Sequence, residues 1–323
     1  MSIRLLMMGT GPFAVPTFES LLDSEHEVVG LVTRPTTRPR GRRKTPPNPM
    51  RDVGLERQLL MLEPADVNSD EARSQLSELR PDLLVVCDYG QILSNEMLSI
   101  ARLGGINLHG SLLPKYRGAA PVNWAIFNGD KTTGVTVIHM TPRLDGGPCL
   151  TKREIEIGPE ETAFELERRL SQIGVDAVNE AIEMLSGWDG TSVIGQLQDR
   201  AKATNARRLN KADGLVDWTC RAEQIKNQTR AFKPWPGTYT FLERADGEPL
   251  RLILDRVSRI DSAELNGEAG SVLYSDGKSL LVATGDGVLS IDQVQPTGKK
   301  VLKIDEFLRG YSVKVGDKFC RIV

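Results

Sequence analysis

Asn107 and His109 stand two residues apart in the stretch GGINLHGSLLPKYRGAAPVNWAIFNG, residues 104–129. On a β-strand, that spacing sends both side chains to one face. If the strand is parallel, the face near its carboxyl end opens onto the usual ligand crevice of an α/β sheet. An amide beside an imidazole there can meet a developing oxyanion and handle a proton. The bland alternatives are a satisfied core histidine and a turn-forming asparagine. Asp145 lies in PRLDGGP, just after the next apolar strand pattern. A carboxylate brought into the same crevice would orient His109 and favour its charged form. Asp-Gly-Gly is also ordinary turn chemistry. His139 falls inside an alternating strand and His26 in a polar turn, and both read as structural.

Two further segments suggest ligands. In MMGTGPFAVP, residues 7–16, Gly9, Gly11 and Ala14 fall in G-x-G-x-x-A register after an apolar strand, the fingerprint of a dinucleotide turn. Pro12 and Pro16, however, remove N–H groups that would face a pyrophosphate. The second strand also ends in Thr33-Arg34, without the acid that holds an NAD ribose. Arg34 leaves an NADP-dependent oxidoreductase open. The other segment, RPTTRPRGRRKTPPNPMR (residues 34–51), holds seven basic residues, five prolines and no acid. It has neither helical nor strand period and reads as a positive loop suited to a polyanion.

These groups need elements to position them. At 323 residues the chain is too long for one ordinary core, and two domains are expected. In the first half, strand patterns at 3–8, 28–32, 59–62, 83–87, 105–109 and 134–140 alternate with helical ones at 13–22 and 69–79. That alternation predicts a parallel, Rossmann-like sheet covered on both faces. Residues 149–157 suit an edge strand, and 164–185 read as a long amphipathic helix closing the domain.

The boundaries read as a domain over 1–188, a polar linker over 189–206 and a second domain over 207–323. In the second domain a helix at 222–231 accompanies short strands at 216–218, 237–242, 250–257, 270–274, 280–284 and 288–294, a pattern that suits a small OB-like β-barrel. The net charge of −2 selects no partner. No apolar run approaches the roughly 20 residues that cross a bilayer. The start of the chain lacks an export-signal pattern. Cys87, Cys149, Cys220 and Cys320 form no C-x-x-C pair. Reduced cysteines, no metal and a cytoplasmic location are expected.

Residues 107–129 resemble the signature of the folate-dependent formyltransferases, which take their formyl group from 10-formyltetrahydrofolate. The resemblance implies a catalytic trio of Asn107, His109 and Asp145, and a folate-lining segment at Ser111, Leu112, Leu113 and Pro114. It also implies that MGTGPFAVPTFESLL is the family's opening strand–turn–helix, with no dinucleotide. Within the family the chain is similar to the branch whose acceptor is methionyl initiator tRNA. Three stretches carry that likeness: GRRK in the basic loop, RAFKPWPGTYT (230–240), and VQPTGKK followed by DEFLRGY near the C-terminus. It implies that Arg40, Arg42, Arg43 and Lys44 bind tRNA, with a tRNA-binding second domain, a monomer and no membrane. The family usually reads Gly-Leu-Asp-Thr-Gly around the aspartate, where this chain has Arg143-Leu144-Asp145-Gly146-Gly147. NLHGSLLPKYRG also resembles formyltransferases acting on amino-sugar nucleotides, which keeps that acceptor open.

Overall fold

The computed structural model describes residues 2–36, 47–243, 248–261 and 265–320. The chain folds into two compact units. The first comprises Met1–Pro121, Thr132–Glu156 and Glu167–Arg207; the second comprises Val122–Lys131, Ile157–Leu166 and Arg208–Val323.

In the first unit the strands are β1 (Arg4–Gly9), β2 (Glu27–Val32), β3 (Met61–Leu62), β4 (Leu83–Cys87), β5 (Gly105–His109), β6 (Arg117–Gly118), β7 (Thr132–His139), β8 (Cys149–Glu156) and β9 (Asn205–Ala206). The main sheet has the order β3-β2-β1-β4-β5-β7-β8. The first five strands are parallel. Leu83, Leu84, Val85, Val86 and Cys87 are all buried, as a run of five apolar residues must be when helices cover both faces.

The covering helices start where the sequence offers starts. Ser69 Oγ caps α3 (Asp70–Glu78) by accepting from Ala72 N. Pro16 sits in the first turn of α1 (Val15–Leu22), where its missing N–H costs nothing. Asn48 Oδ1 caps α2 (Pro49–Glu56). A short α4 (Asn95–Leu98) follows β4. α6 (Ala163–Ser186) belongs to this unit from Glu167 onward, whereas α5 (Pro121–Phe127) belongs to the second unit from Val122 onward. Along α6, Leu170, Gly174, Ala177, Val178, Ala181, Ile182 and Leu185 form one buried stripe. Each large member contributes about 1.5–3 kcal/mol by leaving water. Gly174 is a close-approach position, because a Cβ there would lie 2.6 Å from Leu108 Cδ2.

The sheet is parallel as expected except at one end. β7 and β8 are antiparallel, β7 against β5 and β8 against β7. The turn between β7 and β8 is too short for a crossover, which takes about a dozen residues, so the pair can only be a hairpin. β8 lies at the sheet edge, where its alternating pattern places it. Residues 187–207 fall in the first unit. There Cys149 and Gln196 exchange two backbone hydrogen bonds of 2.8 Å, and β9 pairs with β6.

The second unit is a curled antiparallel sheet with the helices α7 (Ala222–Ala231) and α8 (Ile304–Gly310). Its strands are β10 (Thr238–Leu242), β11 (Leu250–Ile260), β12 (Val272–Ser275), β13 (Leu280–Ala283), β14 (Val288–Pro296), β15 (Leu302–Lys303) and β16 (Phe319–Cys320). The order is β12-β13-β14-β11-β10-β16, with β15 on β14. Register shifts at Leu254–Val257 in β11 bend the sheet. Its ends meet: Phe319 N donates to Gly270 O at 2.7 Å and Val272 N to Asp317 O at 2.8 Å. Trp218, Leu252, Leu254, Ile291, Phe307 and Phe319 fill the interior. Residues 216–218, expected as a strand, form none; the neighbouring Leu215 makes a single bridge to Tyr239, and Val216 N donates to Tyr239 O at 2.9 Å.

Candidate active site

Asn107 and His109 occupy the last half of β5, and the structure brings both against Asp145. Asn107 Nδ2 donates to Asp145 Oδ1 at 3.5 Å. His109 Nδ1 lies 3.8 Å from Asp145 Oδ2. The His109 and Asp145 side chains are only 6% and 9% exposed, so their interaction is poorly screened.

Because β7 runs antiparallel, the loop after it begins level with the start of β5, where Ile106 faces His139. It folds back across the sheet face to deliver Asp145. The backbone there is demanding. Asp145 is left-handed, with φ +47°, a conformation that few side chains other than Asp and Asn adopt. A Cβ on Gly147 would lie 1.9 Å from His139 O, so the loop closes against β7 only with glycine at that position.

The partners of the trio come from residues 116–118. His109 Nε2 is 2.8 Å from the Tyr116 carbonyl oxygen. A carbonyl only accepts, so Nε2 carries that hydrogen and Nδ1 remains the exchangeable atom. Gly118 N donates to Asp145 Oδ2 at 2.8 Å. Tyr116 is in turn held by Thr204 Oγ1, which accepts from its N–H at 2.8 Å. Three donors and acceptors of known orientation thus converge on one face. Such a set can stabilise negative charge on a carbonyl oxygen and move a proton beside it.

The segment Ser111, Leu112, Leu113 and Pro114 runs directly off β5. Ser111 and Leu113 are fully buried, and Leu112 and Pro114 keep part of their surface. The polar atoms are already engaged: Ser111 Oγ donates to Lys115 O, Thr136 Oγ1 donates to Ser111 O and accepts from Leu113 N, and Lys152 Nζ donates to Leu113 O. Ser111 and Leu113 are therefore held in place within the fold. Arg40, Arg42, Arg43 and Lys44 lie outside the described residues. Of the described residues on either side, Asn48 Nδ2 donates to Thr33 Oγ1 at 2.9 Å.

The other histidines are structural. His139 Nε2 pairs with Leu103 O at 2.9 Å, and His26 Nδ1 accepts from Ile3 N. Among the described residues no group of three or more His, Cys, Asp or Glu could hold a metal ion. No helix among them is long and apolar enough to cross a membrane. Two site residues have no signal in the sequence. Gln198 sits in a polar stretch without period, and Arg117 reads as one more surface cation, yet both are bonded to the Asp145 loop or to each other.

Comparison with known proteins adds an independent line. The profile of the formyl transferase family matches residues 1–182, and that of the formyl transferase C-terminal domain matches residues 208–312. The chain is 44% identical to a methionyl-tRNA formyltransferase of Rhodopirellula baltica, over 98% of this chain and 96% of that protein. It is 41% identical to one of Geobacter sulfurreducens, with the same coverage. Among solved structures, the fold resembles a Helicobacter canadensis N-formyltransferase in complex with folinic acid and dTDP-3-aminofucose, with TM-score 0.64 and 16% identity, covering 92% of this chain and all of that one. It also resembles HypX from Aquifex aeolicus in complex with tetrahydrofolic acid, with TM-score 0.61 and 18% identity over 99% of this chain, which spans about half (51%) of that protein.

Proposed function

The chain belongs to the formyl transferase family, and from that premise we propose that it transfers the formyl group of 10-formyltetrahydrofolate to the amino group of methionyl initiator tRNA. The product is N-formylmethionyl-tRNA for translation initiation. One observation carries this reading: Asn107, His109 and Asp145 converge on one another at the end of β5. Near-full-length identity to the two methionyl-tRNA formyltransferases supports the acceptor.

The neutral amine of the acceptor adds to the formyl carbon. A C–N bond forms, the carbonyl π electrons move to oxygen, and a proton must leave the nitrogen. Asn107 Nδ2 donates to that oxygen, and His109 donates to it through Nδ1 in the form in which both ring nitrogens carry a proton. Asp145 orients both and takes the amine proton, directly or through a water. The tetrahedral intermediate then collapses, the bond to folate N10 breaks, and the proton taken up by Asp145 passes to N10. Leu112 and Pro114 border the folate, with Ser111 and Leu113 holding their segment in place. Residues 1–188 carry this chemistry. Residues 207–323 and the basic loop, with Arg40, Arg42, Arg43 and Lys44, grip the tRNA. The protein works as a monomer in the cytoplasm.

The test is formyl transfer from 10-formyltetrahydrofolate to charged initiator tRNA, run beside charged elongator tRNA and an amino-sugar nucleotide. Preferred transfer to the initiator is expected. Faster transfer to the sugar nucleotide would reassign the acceptor. Neutralising Arg42, Arg43 and Lys44 together should raise KM for tRNA. It should also flatten the salt dependence of binding by up to about 0.7–0.9 log units for each phosphate no longer neutralised. Parental affinity and slope in that variant would show that the loop does not bind the RNA.

A further inference from the structure

We propose that Gln198 is a positioning residue for the reaction, fixing Asp145 through a closed ring of hydrogen bonds. Its amide is engaged at both ends. Nε2 donates to Asp145 O at 2.8 Å and to Gly147 O at 2.7 Å. Oε1 accepts from Arg117 Nε at 3.2 Å and from Arg117 Nη2 at 2.7 Å. Arg117 precedes Gly118, whose N–H donates to Asp145 Oδ2. The ring therefore runs from the Asp145 backbone through Gln198 and Arg117 to Gly118, and back to the Asp145 carboxylate. The amide's orientation is unambiguous, because guanidinium only donates and the two carbonyls only accept.

The physical need for such a ring is specific. Asp145 is held left-handed and is followed by two glycines, Gly146 and Gly147, which leave the loop many alternative conformations. Inside the loop a turn bond from Gly146 N to Arg143 O at 3.0 Å fixes the local bend, but it does not reach the Asp145 or Gly147 carbonyls. Gln198 selects the conformation that faces His109, and is itself anchored on both sides. Two residues earlier Gln196 exchanges backbone bonds with Cys149, and six residues later Thr204 O accepts from Arg117 N at 2.9 Å. No other side chain of similar size fills the role. Glutamate would turn an oxygen toward two carbonyls, methionine offers no hydrogen bond, and asparagine is one methylene short.

This inference rests on the proposed role of Asp145. It is tested with Gln198→Met, Gln198→Glu and Arg117→Met, alone and combined with Asp145→Asn, by single-turnover transfer. Each of the three should lower kcat by about 10- to 100-fold, the range for groups that orient a reacting side chain. KM for folate and for tRNA should stay within about twofold, because uniform binding is untouched. In the Asp145→Asn background, Gln198→Met should change kcat less than about threefold, since residues acting as one unit are non-additive. A parental kcat in Gln198→Met, or an equal loss in both backgrounds, overturns the inference. If Gln198→Met proves unstable, Arg117→Met breaks the same ring from the other side. A crystal structure of Gln198→Met reads the point without any acceptor. Residues 143–148 should shift and lose the Gly118–Asp145 bond, and an unmoved loop overturns the inference even if the acceptor is another molecule.

Discussion

Two segments of the first unit sit at strand ends of one sheet, and both resemble ligand loops in sequence: residues 9–14 after β1 and residues 107–118 from β5 onward. Their polar groups are used in opposite ways. In the glycine turn the backbone donors are spent inside the protein. Thr10 N and Gly11 N both donate to Asp88 O, at 3.1 and 3.5 Å, and Ala14 N donates to Gly11 O. The space above Gly11 is taken by a carboxylate, since a Cβ there would lie 1.7 Å from Asp88 Oδ2. An anionic pyrophosphate would meet negative charge where it needs N–H donors. In the second segment, side chains from three separate stretches converge on one another. A glycine register thus records close approach of backbone, while a site is recorded by functional groups that meet.

That contrast can be broken most forcefully at the glycines. Gly147→Ala drives a Cβ into the His139 carbonyl, a backbone atom that cannot step aside. The Asp145 loop must move, and single-turnover transfer should fall by about 10². Gly11→Ala meets only the far end of the Asp88 side chain. It should cost about 1 kcal/mol in urea unfolding, the low end for overpacking, and Gly11→Ala with Asp88→Ala should recover it. If the two glycines exchange their effects, the comparison is wrong.

A smaller effect is expected with pH. Burial of its carboxyl pushes the Asp88 pKa up to about 6, although the residue keeps solvent-exposed surface. Burial, and then the nearby Asp88 charge, raise Glu167 to about 7. The pKa of the buried Cys87 thiol is raised first by burial and then by the charges of Asp88 and Glu167. Arg34 stands close by against Gly90. Both carboxyls hold protons more tightly folded than unfolded. Stability from this pair is therefore full below about pH 4 and declines as pH rises to about 7. Asp88→Asn and Glu167→Gln should each stabilise the protein at pH 8 and have no such effect at pH 4. Equal effects at the two pH values would show that the pair is well hydrated. The smallest expected signal is none at all: NADP at micromolar concentration should give no saturable heat in calorimetry.

Much of this arrangement is legible in the sequence. Residues 83–87, 105–109 and 222–231 have the observed bounds, because apolar runs between punctuating residues leave the chain little choice. Asn107 and His109 share a face for the same reason. The direction of β7 is harder to see, because an apolar run looks the same in a parallel and an antiparallel strand; only the short turn before β8 hints at a hairpin there. The way Asp145 arrives follows from that direction. Short elements such as β6, β9 and α4 carry too few residues to show a period. Gln198 is invisible for a deeper reason: its role depends on four hydrogen bonds to residues 51 to 81 positions away, and nothing local marks it.

The central claim is that Asn107, His109 and Asp145 together carry the transfer. It is tested most directly by single-turnover formylation of charged initiator tRNA with Asn107→Ala, His109→Ala and Asp145→Asn, each saturated with 10-formyltetrahydrofolate and with donor binding measured separately. Each variant should bind the donor and lose about 10²–10³ in rate, the usual cost of one lost oxyanion-directed group. A variant that binds donor and transfers at the parental rate would contradict the account.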